Sequence, residues 1–152
     1  MKASALEPSA KELYEHDFFE WTVRNAELLR AGRLAEADLE HIAEEIEDMG
    51  KRDRRELESR LAVLFVHLLK WGWQRGKRSN SWKTTIANQR AELRRLLRQS
   101  PSLKAQLPEA VAETYKDSVE QASLETGLPA ATFPERCPYT PEQVLDRGFL
   151  PE

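Results

Sequence analysis

Apolar residues recur along this chain with a helical rhythm, and only from Leu57 to Gln74 (LESRLAVLFVHLLKWGWQ) do they become nearly continuous. From Leu61 to Leu69 the sole polar side chain is His67. A helix of that kind has to be covered on most sides, whereas a surface helix shows a single stripe. Upstream, Asp38 is a good cap, and Leu39, Ile42, Ala43, Ile46 and Met49 set a stripe that Leu57, Leu61, Leu64 and Leu68 continue. Gly50 interrupts it at about 1 kcal/mol relative to alanine, so a bend there is one outcome. The pairs Glu47–Lys51, Asp48–Arg52, Arg52–Glu56, Arg54–Glu58 and Glu56–Arg60 at i,i+4 argue for continuity. The expectation is one long helix over 38–74, bent if anywhere at Gly50. Asp53 falls on its core stripe and calls for a polar partner from another helix.

The flanking segments carry their own start and stop signals. Residues 1–12 are polar and small with Pro8 and read as flexible, with structure starting near Asp17. Asp17 with Glu20 fits a capping box before Phe18, Trp21, Asn25, Leu28 and Leu29, and Gly32 ends that helix. After the loop at Gly76, Ser81 caps a helix whose core face is Trp82, Ile86, Gln89, Leu93, Leu96 and Leu97. At about 100° per residue, Lys83, Arg90, Arg94 and Arg98 form a second stripe beside it, read as a wet basic flank. A further helix runs from about Pro108 to Glu125, ended by Thr126-Gly127-Leu128-Pro129. In the proline-rich tail, Thr140-Pro141-Glu142-Gln143 opens a short helix. Phe133, Tyr139, Val144, Leu145, Phe149 and Leu150 are too apolar to hang free, so the tail should lie across the helices.

With no strand signal and no internal repeat, the fold class is all-α: a single-domain helical bundle over 13–152 with one long central helix and a packed C-terminal tail. A chain of 152 residues buries roughly two-thirds of its unfolded surface, enough for one core. The one cysteine, Cys137, cannot form an internal disulfide, and the N-terminus has no apolar run resembling a secretory signal, which points to the cytoplasm. Leu61 to Trp73 falls well short of the ~20 residues that span a bilayer. An interfacial helix is the lesser alternative, because Trp71 and Trp73 are followed by Arg75, Lys77 and Arg78.

Net charge is −3, but its distribution matters more: residues 1–50 carry 5 basic and 13 acidic side chains, and residues 70–98 carry 9 basic and 1 acidic. Such asymmetry serves either neutralisation between helices or a surface for a polyanion.

The segments DLEHIAEEIEDMGKRDRRELESRL, HLLKW, RSNSW with TIANQR, SPSL, ETGL and FPERCPYTPEQVLD together resemble a bacterial family, the domain of unknown function numbered twenty-nine. The likeness covers about residues 14–152. It implies a small helical protein from bacteria such as cyanobacteria and proteobacteria, and it brings no catalytic residues with it.

Candidate chemistry is sparse. Glu40, His41, Glu44, Glu45, Glu47 and Asp48 invite a metal, but carboxylate-bridged sites in bundles use Glu-x-x-His pairs, and the chain has none; a solvated face accounts for them better. His67 reads as a core histidine satisfied by one carbonyl or side chain, and Cys137 as a small buried apolar group. No catalytic residue, cofactor or metal is assigned. The basic segment from Lys70 to Arg98, with Trp71, Trp73 and Trp82 interleaved, has the ingredients of a nucleic-acid surface read by Lys83, Arg90, Arg94 and Arg98. The competing reading sets Arg90, Arg94 and Arg98 against acidic helices at 12–30 or 108–125. The leading expectation is a non-enzymatic protein that binds another protein or itself as a homodimer. Nucleic-acid binding comes second, and an enzyme, needing His67 or His41 beside a carboxylate, third.

Overall fold

The computed structural model describes residues 6–152, and among them there are six α-helices and no strand. Their contacts divide into two compact units, residues 1–51 and 52–152, each described separately below.

In the N-terminal unit, structure begins earlier than Asp17. Ser9 and Glu12 form a reciprocal capping box that starts α1 (Ala10–His16). Of the N-terminal stretch expected to be flexible, residues 1–5 lie outside the described residues. Asp17 then caps α2 (Phe18–Arg30), accepting from the Glu20 amide at 3.1 Å. That helix ends at Ala31, and Gly32 takes φ +73°, a left-handed turn that a side chain would strain. Asp38 sits immediately before α3 (Leu39–Trp73), its carboxylate 3.4 Å from the His41 amide. α3 runs unbroken through Gly50, so continuity wins over the break.

The C-terminal unit is built on the second part of α3. Leu57, Leu61, Leu64, Phe65, Leu68 and Leu69 are fully buried there, as the dense apolar run predicts. Two of the expected i,i+4 pairs form, Arg54–Glu58 at 3.0 Å and Arg60–Glu56 at 3.7 Å. Around them lie α4 (Asn80–Gln99), α5 (Leu107–Thr126) and α6 (Pro141–Leu145). The cap of α4 is Ser79 rather than Ser81, its hydroxyl accepting from the Trp82 amide. Gly127 closes α5 in the left-handed conformation at φ 75°. Thr140 and Gln143 close the capping box of α6 as expected. The tail is packed: Phe133, Tyr139 and Val144 are buried, and Leu145, Phe149 and Leu150 lie against the same core. No helix among the described residues is long and apolar enough to cross a membrane.

Candidate functional site

The four basic residues singled out from sequence occupy three different environments. Arg90 is 1% exposed: its Nε donates to Val144 O at 2.9 Å, Nη1 to Phe149 O at 2.7 Å and Nη2 to Gln143 O at 3.1 Å. Burial pushes its pKa down, against the pull of Asp146, with Arg94 adding to the lowering; a guanidinium nonetheless stays charged. Arg94 is half-buried and donates to Leu145 O at 2.9 Å. Lys83 and Arg98 are exposed, Lys83 standing 5.5 Å above the Trp71 ring. Neither expectation for Arg90 and Arg94 fits: the flank is not wholly wet, and these two guanidiniums meet backbone carbonyls of the tail instead of acidic helices. Of those carbonyls Gln143 O also accepts from the Asp146 amide at 3.3 Å, and arginine, with five donors in a fixed fork, can serve three acceptors at once.

The tryptophans beside them belong to the interior. Trp71 is buried under Arg78, whose guanidinium lies 4.7 Å from the ring centre and whose Nε donates to Trp71 O at 2.8 Å. Trp73 packs edge-on against Phe133. The indole border expected of an interfacial helix is therefore engaged within the fold. Lys70 pairs with Glu125 at 3.5 Å and lies over the half-buried Trp82.

The other candidates resolve into hydrogen bonds. His67 is half-buried, its Nδ1 2.7 Å from Val63 O one turn back, so a carbonyl satisfies it. Cys137 is half-buried with Sγ 3.5 Å from Tyr139 O; burial pushes the thiol pKa up, outweighing that contact. A protonated thiol is a poor nucleophile. It lines a groove of about 430 Å³ with Tyr115 and Tyr139, whose buried hydroxyl has no partner among the described residues. Among the described residues no cluster of three or more His, Cys, Asp or Glu side chains could hold a metal. Asp53, half-buried, makes no ion pair among them.

The N-terminal unit has a polar centre that sequence spacing did not reveal. Asp38, 4% exposed, accepts from Trp21 Nε1 at 2.9 Å, and His41 Nδ1 lies 2.6 Å from the same carboxylate. Burial raises the Asp38 pKa, but these hydrogen bonds outweigh it and hold the carboxyl below its ordinary value. Asn25 ties the network to the backbone, accepting from the Asp38 amide and donating to Trp21 O, both at 2.8 Å. The Tyr14 ring stacks on His41 at 3.8 Å, and its hydroxyl donates to Glu45 at 2.7 Å. That bond, more than burial or the nearby carboxylates, pushes the Tyr14 pKa to about 12. His41 thus meets a carboxylate, as an enzymatic reading would need. The groove of about 850 Å³ beside Asp38, however, is lined by Arg24, Leu28, Arg33 and Glu40 and not by His41.

The unit that contains this polar centre also carries most of the exposed large hydrophobic side chains. Nine of the eleven exposed large hydrophobic residues among those described lie between Leu6 and Met49. On α2 they include Phe19, 77% exposed, and Val23; on α3 they are Leu39 at 48%, Ile46 at 59% and Met49 at 52%. A family description, the domain of unknown function DUF29, matches residues 13–150. The chain belongs to this family. No curated protein and no solved structure matches it. In this DUF29 chain, then, the feature that most needs a functional account is the concentration of exposed large hydrophobic side chains in the N-terminal unit.

Proposed function

We propose that this DUF29 protein is a cytoplasmic docking module that binds a protein, either another chain or a second copy of itself, through the apolar surface of residues 18–49. The supporting observation is the concentration of exposed large hydrophobic side chains in that unit, on helices anchored by the Asp38 network. A rigid support with an unpartnered apolar face is what a recognition surface requires. A photo-crosslinking residue in place of Ile46, used in the native host, is expected to trap one discrete partner or a dimer. Labelling that is diffuse, and no stronger than at exposed Glu120, would sink the reading.

A second reading, polyanion binding, is supported by Arg75, Lys77, Lys83 and Arg98, which are exposed and make no ion pair among the described residues. The decisive variant is Lys83→Gln with Arg98→Gln. Replacing Arg90 and Arg94 as well would test the anchorage of the tail rather than binding. Tryptophan fluorescence titrated with single-stranded DNA, duplex DNA and RNA should show affinity falling steeply with salt. A flat response at low salt removes this reading.

A further inference from the structure

On α3 the residues Met49, Ile42, Ile46, Leu39, Gly50 and Ala43 share one arc of about 120°, at 100° per residue. Ile42 is half-buried and the other five are exposed. A Cβ placed on Gly50 would meet nothing within 4 Å, so the arc is bare there and not merely thinly covered. Along one edge of the arc run Glu40, Glu44 and Glu47, all exposed. Glu40 reaches Lys11 at 3.5 Å, and Glu44 and Glu47 have no cationic partner among the described residues. No lysine or arginine occurs on α3 before Lys51.

We infer that this face receives an amphipathic basic helix from a partner protein, its apolar side on Leu39, Ile46 and Met49 and its lysines or arginines against Glu44 and Glu47. The inference rests on the docking reading above and adds the chemistry of the partner. Charge selects among occupants. A nucleic acid or an anionic membrane would be repelled by the carboxylate edge. A second copy pairing antiparallel by two-fold symmetry would set that edge against itself, three carboxylates facing three with Lys11 on Glu40 and Lys51 to offset them. A helix with basic flanks satisfies both the apolar stripe and the edge, in the groove-and-anchor manner of helical peptide recognition.

The test uses the full chain and two fluorescein-labelled helical peptides with the same leucine stripe, one flanked by lysines and its twin by glutamates. Fluorescence anisotropy should report binding of the lysine peptide, weakened by salt, and none of the glutamate twin. Glu44→Gln with Glu47→Gln should weaken binding by roughly fivefold, the scale of two exposed ion pairs. Ile46→Glu should abolish it without loss of helicity. Equal binding of both peptides would overturn the charge assignment and leave the docking surface standing. Binding that survives Ile46→Glu would move the site elsewhere. If neither peptide binds and light scattering reports a dimer that Ile46→Glu dissolves, the occupant is a second copy. If neither binds and the protein is monomeric and uncrosslinked at position 46, the docking reading falls as well.

Discussion

Arg90 on α4 donates through Nε to the carbonyl of Val144, 54 residues further along the chain, at 2.9 Å. With Gln143 and Phe149 also served by the same guanidinium, one side chain fastens the second half of α6 and the segment that follows it. Arg90→Met, which keeps the stem and removes the donors, should destabilise the protein by about 3 kcal/mol, because the buried Val144 carbonyl and the part-buried Phe149 carbonyl lose a charged donor while Gln143 O keeps only the Asp146 amide. Urea unfolding gives the midpoint, and limited proteolysis should find new cleavage between Phe133 and Phe149. Arg90→Lys should recover only part of the loss, since an ammonium cannot fork across three acceptors. A midpoint like that of the unaltered protein in Arg90→Met would mean the carbonyls have other donors.

Arg90 also marks the boundary of what could be read without coordinates. Its position, about 20° beyond Leu97 on the helical wheel, is on the rim of the core face, and only its charge assigned it to solvent. The partners that reverse this are main-chain oxygens in the tail, which no side-chain pattern announces. Elements set by local rules were legible: Thr140 and Gln143 at α6, Gly127 after α5, and the dense run at Leu61–Leu69. Ser9 and Glu12 carried the same capping signature, but the small polar residues around them outweighed it. The Trp21–Asp38–His41 cluster joins residues from two helices through the intervening loop, so periodicity within either helix gave no hint of it. The exposed stripe on α3 is visible in the sequence as apolar residues continuing the core stripe of a helix long enough to carry more apolar surface than its neighbours cover, but a periodic pattern does not say which part stays bare.

The Asp38 carboxyl should give the N-terminal unit a measurable acid dependence. Its folded pKa lies below the ordinary value near ~3.9, so the unfolded chain binds the proton more readily. The stabilisation is complete above about pH 5, begins to fall near the unfolded pKa and is lost as pH falls through the lowered folded pKa. Asp38→Asn should therefore be less stable than the native chain near neutrality, with the gap closing toward acid. Urea midpoints of both proteins across that range measure it, and a gap that stays constant or widens on acidification would contradict the assignment. Trp21→Phe should cost about 1–2 kcal/mol at neutral pH by removing one donor from a buried carboxylate.

Neighbouring positions in the dense run of α3 should respond very differently to truncation. Leu61 and Leu64 are fully buried, and Leu→Ala at either should cost about 2–5 kcal/mol through lost transfer energy and a residual cavity. Val63, 37% exposed, lies between them, and Val63→Ala should stay within about 0.5 kcal/mol of the native chain. Paired denaturation curves test whether the central helix is covered on most sides or on all of them. Comparable losses at Leu64 and Val63 would mean that a further surface packs over Val63 in solution.

Gly50 is the last test, because it separates a hinge from an uncovered helical position. It lies inside a continuous helix with ordinary negative φ, and an added Cβ would meet nothing within 4 Å. Glycine there loses more backbone entropy on folding than alanine and contributes no contact in return. Gly50→Ala should therefore raise stability by about 1 kcal/mol, seen as a higher urea midpoint with an unchanged slope. Because Gly50 also lies on the arc assigned to a partner helix, the same methyl sits where the partner would close on α3. Stability should rise while affinity for the lysine-flanked peptide falls or holds. A loss of stability would instead show that α3 needs to bend at this residue.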